Sequence, residues 1–263
     1  MSLALPGARN MFSQMQNALS DSPKTRVALT KGVHQALNDF RWMDENISSR
    51  PTRIAELIPL LSSAIGDHDA SGSGAGGVWF PHQSLDSRST GQENSPSHAP
   101  LLWRVEWPKD IIDSLVTNKN PSGTITNSDL ELAGGLLHLE AICQHYNVRE
   151  RTILSRTDNL ATLFWQRKGS ATTQKAPAHL LRLFGIHQRY HRYVPRHDYI
   201  SGVSNPMADD ASRLFHLSDA EFLLYFNSQF PQVTSFHHVH LSPQVTSSVI
   251  LALRRKNVCL NLF

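Results

Sequence analysis

The chain has 263 residues, 40% of them hydrophobic, and carries 25 Lys and Arg against 22 Asp and Glu, a formal net charge of +3. That is length for one large domain with appendages and apolar content for a real core, which excludes a disordered polyelectrolyte; so small a charge argues for nucleic acid only where it is clustered. Cys143 and Cys259 match no metal or redox spacing, no run reaches membrane-span length, and the first ten residues hold too short an apolar run for a signal peptide, so the expectation is an intracellular protein of the cytoplasm or nucleus.

Residues 1–60 read as helical. "ARNMFSQMQNAL" suits a short helix, and "TKGVHQALNDFRWM" places Val33, Leu37 and Phe40 at helical spacing behind Thr30 as N-cap. "RPTRIAELIP", bracketed by Pro51 and Pro59, leads into the next region. Residues 61–217 alternate strand and helix signals. A hairpin is expected from Ala64–Ala70 and Gly76–Phe80, turned by "SGSG", and "LLWRVEW" alternates as a half-buried strand. "SDLELAGGLLHLEAICQH" is apolar nearly all round, so it predicts a buried helix. "RTILSRTD" then reads as a strand, "NLATLFWQRK" as a helix capped by Asn159, and "APAHLLRLFGIHQRYH" as a helix with Pro177 in its first turn. "RYVPRH" is a short strand and "NPMADDASRLFHL" starts a helix. Residues 218–263 return to helix: "SDAEFLLYF" opens with the capping box of Ser218 and Glu221, and "SPQVTSSVILALRRK" has Pro243 early. The layout is α/β, a mixed sheet with helices on its faces and helical extensions at both ends.

The acids of the middle region fall in a suggestive order. Asp69 ends the first strand, Glu131 lies in the first turn of the buried helix, Asp158 follows "TILSRT", and Asp209 opens a late helix. Sites in open α/β sheets form beyond the carboxyl ends of strands. Carboxylates converging there repel one another, and divalent magnesium or manganese, which prefer hard oxygen ligands, neutralise them. Each acid also has a structural reading. Asp69 precedes a glycine turn, and Glu131 completes Ser128-x-x-Glu131 as a capping box. Asp158 stands next to a cap, and Asp209 suits any helix start. Asp67, two residues before Asp69, is an alternative ligand, with Asp69 preferred. "SGSGAGGVWF" lacks the Lys-Ser/Thr or the G-x-G-x-x-G of a phosphate-cradling loop.

The motifs "DASGSGAGGVWF", "TNSDLELAGGLLHLEA", "SRTDNLATLFWQRKGS" and "VPRHDYISGVSNPMADDASRL", in this order, resemble the ribonuclease H domain of retroelement reverse transcriptases, most closely of the DIRS and Ngaro type. The resemblance covers residues 61–217. It implies a ribonuclease H-like five-stranded mixed sheet, with residues 1–60 as a helical remnant of the polymerase connection and residues 218–263 as a helical tail or linker. It implies Asp69, Glu131, Asp158 and Asp209 as catalytic acids holding two Mg2+ ions (or Mn2+), with His197, after "V-P-x", as the histidine that assists product release. The segment from His197 to Asn205 is longer than in the common retroviral form. The implied activity is cleavage of the RNA strand of an RNA–DNA hybrid. A Tyr-x-Asp-Asp polymerase motif is missing, so no polymerase activity is expected of this chain.

Charge clustering favours a nucleic-acid partner. Between Asn159 and His197 no acid occurs, while Arg167, Lys168, Lys175, Arg182, Arg189, Arg192 and Arg196 do, interleaved with Phe164, Trp165, Tyr190 and Tyr193. Arg167, Lys168, Lys175, Arg182 and Trp165 are the expected contacts to phosphates and bases; the competing reading is a solvated basic face. "HHVH" at His237–His240 reads as a polar loop rather than a zinc site. Two alternatives to an active nuclease remain: a hybrid-binding tether with weak or lost cleavage, and a retroelement fragment without a role.

Overall fold

The computed structural model describes Leu5, Met15, Leu85 and residues 7–12, 29–82, 98–171 and 175–256. Cys259, most of the Ser-rich stretch after Phe80 and the later part of the first expected helix lie outside the described residues. Helix α1 spans Ala8–Met11 and α2 spans Lys31–Ser49, where the Thr30 hydroxyl accepts from the Val33 amide. A hairpin of β1 (Ala64–Ala70) and β2 (Gly74–Pro81) continues antiparallel into β3 (Leu101–Glu106). After the short α3 (Lys109–Asp113) and the long α4 (Asn127–His145), β4 (Thr152–Thr157) pairs parallel with β1. Helices α5 (Leu160–Lys168) and α6 (Ala176–His191) lead to β5 (Val194–Tyr199), which pairs parallel with β4. Then come α7 (Pro206–Ala211), α8 (Asp219–Gln229), β6 (His237–His238) and α9 (Pro243–Leu253).

The sheet is therefore mixed, in the order β5-β4-β1-β2-β3-β6. It has six strands where the sequence pattern suggests five. The extra one is part of "HHVH", whose two residues pair parallel with Leu101 and Leu102 at the edge of β3. A two-residue strand carries no alternation to read.

Helix α4 organises the core. Leu130, Leu132, Leu136, Leu137, Leu139 and Ile142 are all buried, at about 1.5–3 kcal/mol per side chain. His138 sits within that core, stacked on Trp79 with ring centroids 4.0 Å apart, while its Nδ1 accepts from Trp103 Nε1 at 3.0 Å. Burial, then the neighbouring His68, holds its pKa well below the ordinary value, so it is a neutral core histidine.

The N- and C-terminal segments share this core: Met11 and Met43 from the first, and Val245, Val249 and Leu253 from α9, belong to one apolar cluster with the residues of α4. Buried ion pairs tie the N-terminal segment to α6. Arg182 makes a fork to Asp39 of α2, with Nε–Oδ2 2.6 Å and Nη2–Oδ1 2.7 Å, and both residues are buried. Arg192 Nε donates to Glu56 Oε1 at 2.9 Å, and Arg189 reaches Asn46, Thr52 and the Arg50 carbonyl. No helix among the described residues is long and apolar enough to cross a membrane.

Candidate metal centre

Parallel pairing of β1 with β4 carries their C-terminal ends to the same edge of the sheet, and the acids follow from it. Asp69 is the penultimate residue of β1, and Asp158 comes directly after β4. Glu131 enters from the second turn of α4, one turn later than the sequence suggests, because the helix begins at Asn127 behind Thr126. Carboxylate oxygens of Asp69, Glu131 and Asp158 lie within 4.8 Å of one another.

The structural readings of these acids are resolved by their neighbours. The capping box of α4 is Thr126 with Asp129, not Ser128 with Glu131: Thr126 Oγ1 accepts from the Asp129 amide, and Asp129 Oδ2 accepts from the Thr126 amide at 2.8 Å. The box begins two residues earlier than expected, which releases Glu131 from that duty. Asn159, not Asp158, caps α5, its side chain accepting from the Thr162 amide at 3.0 Å. Asp67 is occupied in another way, since Arg156 holds both its oxygens, at 2.6 and 2.9 Å. The preference for Asp69 over Asp67 therefore has a structural reason.

Asp69 and Glu131 are both buried, with only 6% and 2% of their surface exposed. Asp69 Oδ2 accepts from Ser212 Oγ at 2.6 Å, yet burial, then the charges of Asp158 and Asp209, raises its pKa. Burial raises Glu131 well above the ordinary glutamate value, and the charges of Asp69 and Asp158 add to it. Asp158 is raised by burial and by the charge of Asp209. Glu131 Oε2 has no hydrogen-bond partner at all. A buried carboxylate oxygen without a partner, beside two more carboxylates, is an arrangement that a hard cation completes. The donor set is all oxygen, as magnesium and manganese prefer.

Asp209 flanks this triad without joining it. Its charge reaches Asp69 and Asp158, but its own carboxylate is half-exposed and paired with Arg213, Nε–Oδ1 2.8 Å and Nη2–Oδ1 2.7 Å. Helix α7, which carries it, presses against β2 at Gly76, where a Cβ would collide with the Ala211 backbone. That close approach brings Ser212 onto Asp69, a contact with no sequence signature. Gly202 similarly backs Asp158, and a Cβ there would come 3.0 Å from Asp158 Oδ2.

His197 is not brought to the carboxylates. It lies inside β5, paired with Ser155, which in turn pairs with Gly66. Side chains alternate along a strand, so His197 shares the face of Gly66 and His68, opposite to Asp67 and Asp69. It is half-buried, its Nδ1 has no partner, and burial and the Arg167 charge push its pKa down. An imidazole in that position is held neutral beside the sheet.

The basic stretch divides in two. Arg182 is buried against Asp39 and is unavailable to nucleic acid, and Arg189 and Arg192 are likewise buried. Their acidic partners come from residues 31–56, invisible to any local count of charge. Arg167, Lys168, Lys175 and Arg196 are exposed. Arg167 bonds Asp198 at 2.8 Å and the His197 carbonyl at 3.0 Å. Trp165 is packed partly on the core, and the exposed aromatic of α5 is instead Phe164. Leu160, Phe164, Arg167 and Lys168 form an exposed stripe along α5 that begins two residues after Asp158.

Two further groupings stand apart from the triad, one at the "HHVH" that the sequence reads as a polar loop and one with no sequence signal. His238 and His240 converge on Asp219, although Arg104 Nη2 already holds Asp219 Oδ1 at 2.8 Å. Cys143, His187 and His191 meet in the interior between α4 and α6. Comparison with family models, curated proteins and solved structures gives no match to this chain.

Proposed function

We propose that the chain is a metal-dependent nuclease of the ribonuclease H type that cleaves the RNA strand of RNA–DNA hybrids, of retroelement reverse-transcriptase origin. The observation that carries this reading is the buried triad of Asp69, Glu131 and Asp158, one oxygen orphaned, at the carboxyl ends of two parallel strands. The order of the five long strands, three antiparallel and then two parallel to the first, supports it, as do the sequence motifs. Bound magnesium ions would lower the pKa of an attacking water and stabilise the departing 3′ oxygen. Asp69, Glu131 and Asp158 would hold the ions, and Asp209 would join them on leaving Arg213. Ser212 fixes the rotamer of Asp69 through its 2.6 Å bond. The stripe on α5, with Arg167, Lys168 and Phe164, would take phosphates and stack on a sugar or base, giving affinity without sequence preference. Contacts to 2′-hydroxyls would mark the strand to be cut.

Two observations favour a second reading, a tether that grips the hybrid with weak or no cleavage: Asp209 is engaged by Arg213, and His197 lies on the opposite face of the sheet. One experiment separates them. The chain is incubated with magnesium and a labelled RNA–DNA hybrid, with duplex RNA and duplex DNA as controls. The nuclease reading expects hybrid cleavage that falls by orders of magnitude in Asp158→Asn while binding persists. Binding of the hybrid without magnesium-dependent cleavage gives the tether, and binding of none of the three duplexes refutes both.

A further inference from the structure

The interior between α4 and α6 carries a second set of donors of a different chemical kind. Glu140 and Cys143 lie three residues apart on α4, and His187 and His191 four apart on α6, spacings that put each pair on one helix face. Cys143 and His187 are fully buried, with Glu140 at 4% and His191 at 8% exposure. Donor atoms of Cys143, His187 and His191 lie within 4.8 Å of one another. Glu140 Oε2 is 3.0 Å from His187 Nε2 and 3.7 Å from His191 Nε2. Both helices thus bring donors to the same interior region: Cys143 stands within reach of the two imidazoles, and Glu140 stands against the same two imidazoles.

We infer that Cys143, His187, His191 and Glu140 form a closed, four-coordinate zinc site that clamps α4 to α6. One thiolate, two imidazoles and a carboxylate suit a borderline-soft ion that accepts tetrahedral geometry, and four protein ligands leave no open position, as in structural zinc sites. Ligand bonds of about 2.0–2.3 Å place tetrahedral donors about 3.3–3.8 Å apart; Cys143, His187 and His191, within 4.8 Å of one another, close to that spacing by side-chain shifts, and Glu140 completes the set by turning from the imidazoles that it already faces toward the thiolate. The outer groups are in place. Tyr193 OH, 2.9 Å from His187 Nδ1, becomes the acceptor of its N–H and aims Nε2 at the ion, and Gln144 Nε2 donates to Glu140 Oε1 at 2.8 Å and steadies the other carboxylate oxygen. On binding, Cys143 gives up its thiol proton to solvent and the sulfur lone pair makes the new bond.

The chemistry separates this site from the carboxylate triad, whose donors are all oxygen, and the inference does not rest on the proposed nuclease activity. It connects to it through α4, which carries Glu131 nine residues before Glu140, about 13 Å along the helix. A clamp on the second half of α4 holds its N-terminal half, with Glu131, against the sheet.

The test is metal content and cobalt substitution on the untagged, reduced full chain. One zinc per chain is expected after gel filtration, retained in Cys259→Ser and in Asp158→Asn and lost in Cys143→Ser. Cobalt(II) added to chelator-stripped wild type should give the intense d–d bands of tetrahedral coordination and a thiolate-to-cobalt charge-transfer band, and Cys143→Ser should lose the latter. If Cys143→Ser does not fold, the wild-type cobalt spectrum decides alone. The inference is overturned if the wild type holds no zinc and cobalt produces no thiolate band. It is equally overturned if zinc binds but survives Cys143→Ser, since the ion then sits on the carboxylate triad or on Asp219, His238 and His240.

Discussion

Replacing Glu131 by Gln should stabilise the metal-free protein while removing its response to magnesium. Ionised Glu131 within 4.8 Å of a second carboxylate is repelled by at least about 3.5 kcal/mol at an effective dielectric of 20. The alternative, holding a proton at pH 7, costs about 1.4 kcal/mol for each pH unit above an ordinary glutamate pKa, again about 3.5 kcal/mol. Either route charges the fold a similar amount, and Gln removes it. Against that gain stands a buried amide, at about 1–3 kcal/mol if unbonded, lessened because Gln Nε2 can donate to Asp69. The net expectation is a gain of about 1–2 kcal/mol, or a rise in melting temperature of about 2–8 °C in chelator at pH 7. A carboxylate whose folded pKa is raised binds its proton more tightly in the folded state, so wild-type stability grows as pH falls from the folded pKa toward the ordinary value. The advantage of the variant should therefore shrink with acidification and vanish near the ordinary glutamate pKa. Magnesium at about 100 times its dissociation constant should add about 2.7 kcal/mol to the wild type and nothing comparable to the variant. Thermal melting across pH, with and without magnesium, reads all of this. If the variant melts lower than wild type in chelator and magnesium raises both equally, the charge at Glu131 is not the liability described here and the triad is not the magnesium site.

Three other outcomes follow from the same geometry. Arg182→Ala should cost about 3–5 kcal/mol in urea unfolding, because it strands the Asp39 carboxylate, and Arg182→Met with Asp39→Leu should recover most of that loss. Arg167→Ala with Lys168→Ala should weaken hybrid binding and reduce the dependence of log affinity on log salt by one to two, with no change in melting temperature; an unaltered slope would remove α5 from the interface. Asp129→Ala should cost about 1 kcal/mol through the lost cap of α4 and leave the magnesium-induced rise in melting temperature intact, the reverse of Glu131→Gln.

The long elements are legible because their signals are local. Thr30 and Asn159 cap the helices that they precede, the Ser218–Glu221 box forms, and β1 and β2 pair as a hairpin. Three of the four acids come together as their order along the chain suggests, since strand ends and the N-terminal part of α4 place them at one edge of the sheet. What sequence does not reveal depends on which face a residue takes or on a distant partner. His197 misses the carboxylates because a strand residue one place out of phase faces the other side of the sheet. Arg182 reads as a surface cation because its partner stands on α2, 143 residues away in the chain. Ser128 competes with Thr126 for the same capping role, and only the backbone decides between them. Cys143 appears isolated because its neighbours His187 and His191 belong to another helix.

The arginine clamp between α6 and the segment 31–56 also bears on how this chain diverges. A neutral substitution at position 39 or 182 alone leaves one charge buried without its counter-ion, and loss of Glu56 would strand two buried arginines, Arg189 and Arg192. Each such intermediate lies several kcal/mol below its neighbours, a large share of a typical domain's stability. Positions 39 and 182 are therefore obliged to change together, as is position 56 with 189 and 192, and related chains that part from this one should do so there in coupled steps, by exchanging the ion pairs for apolar contacts or by keeping them whole.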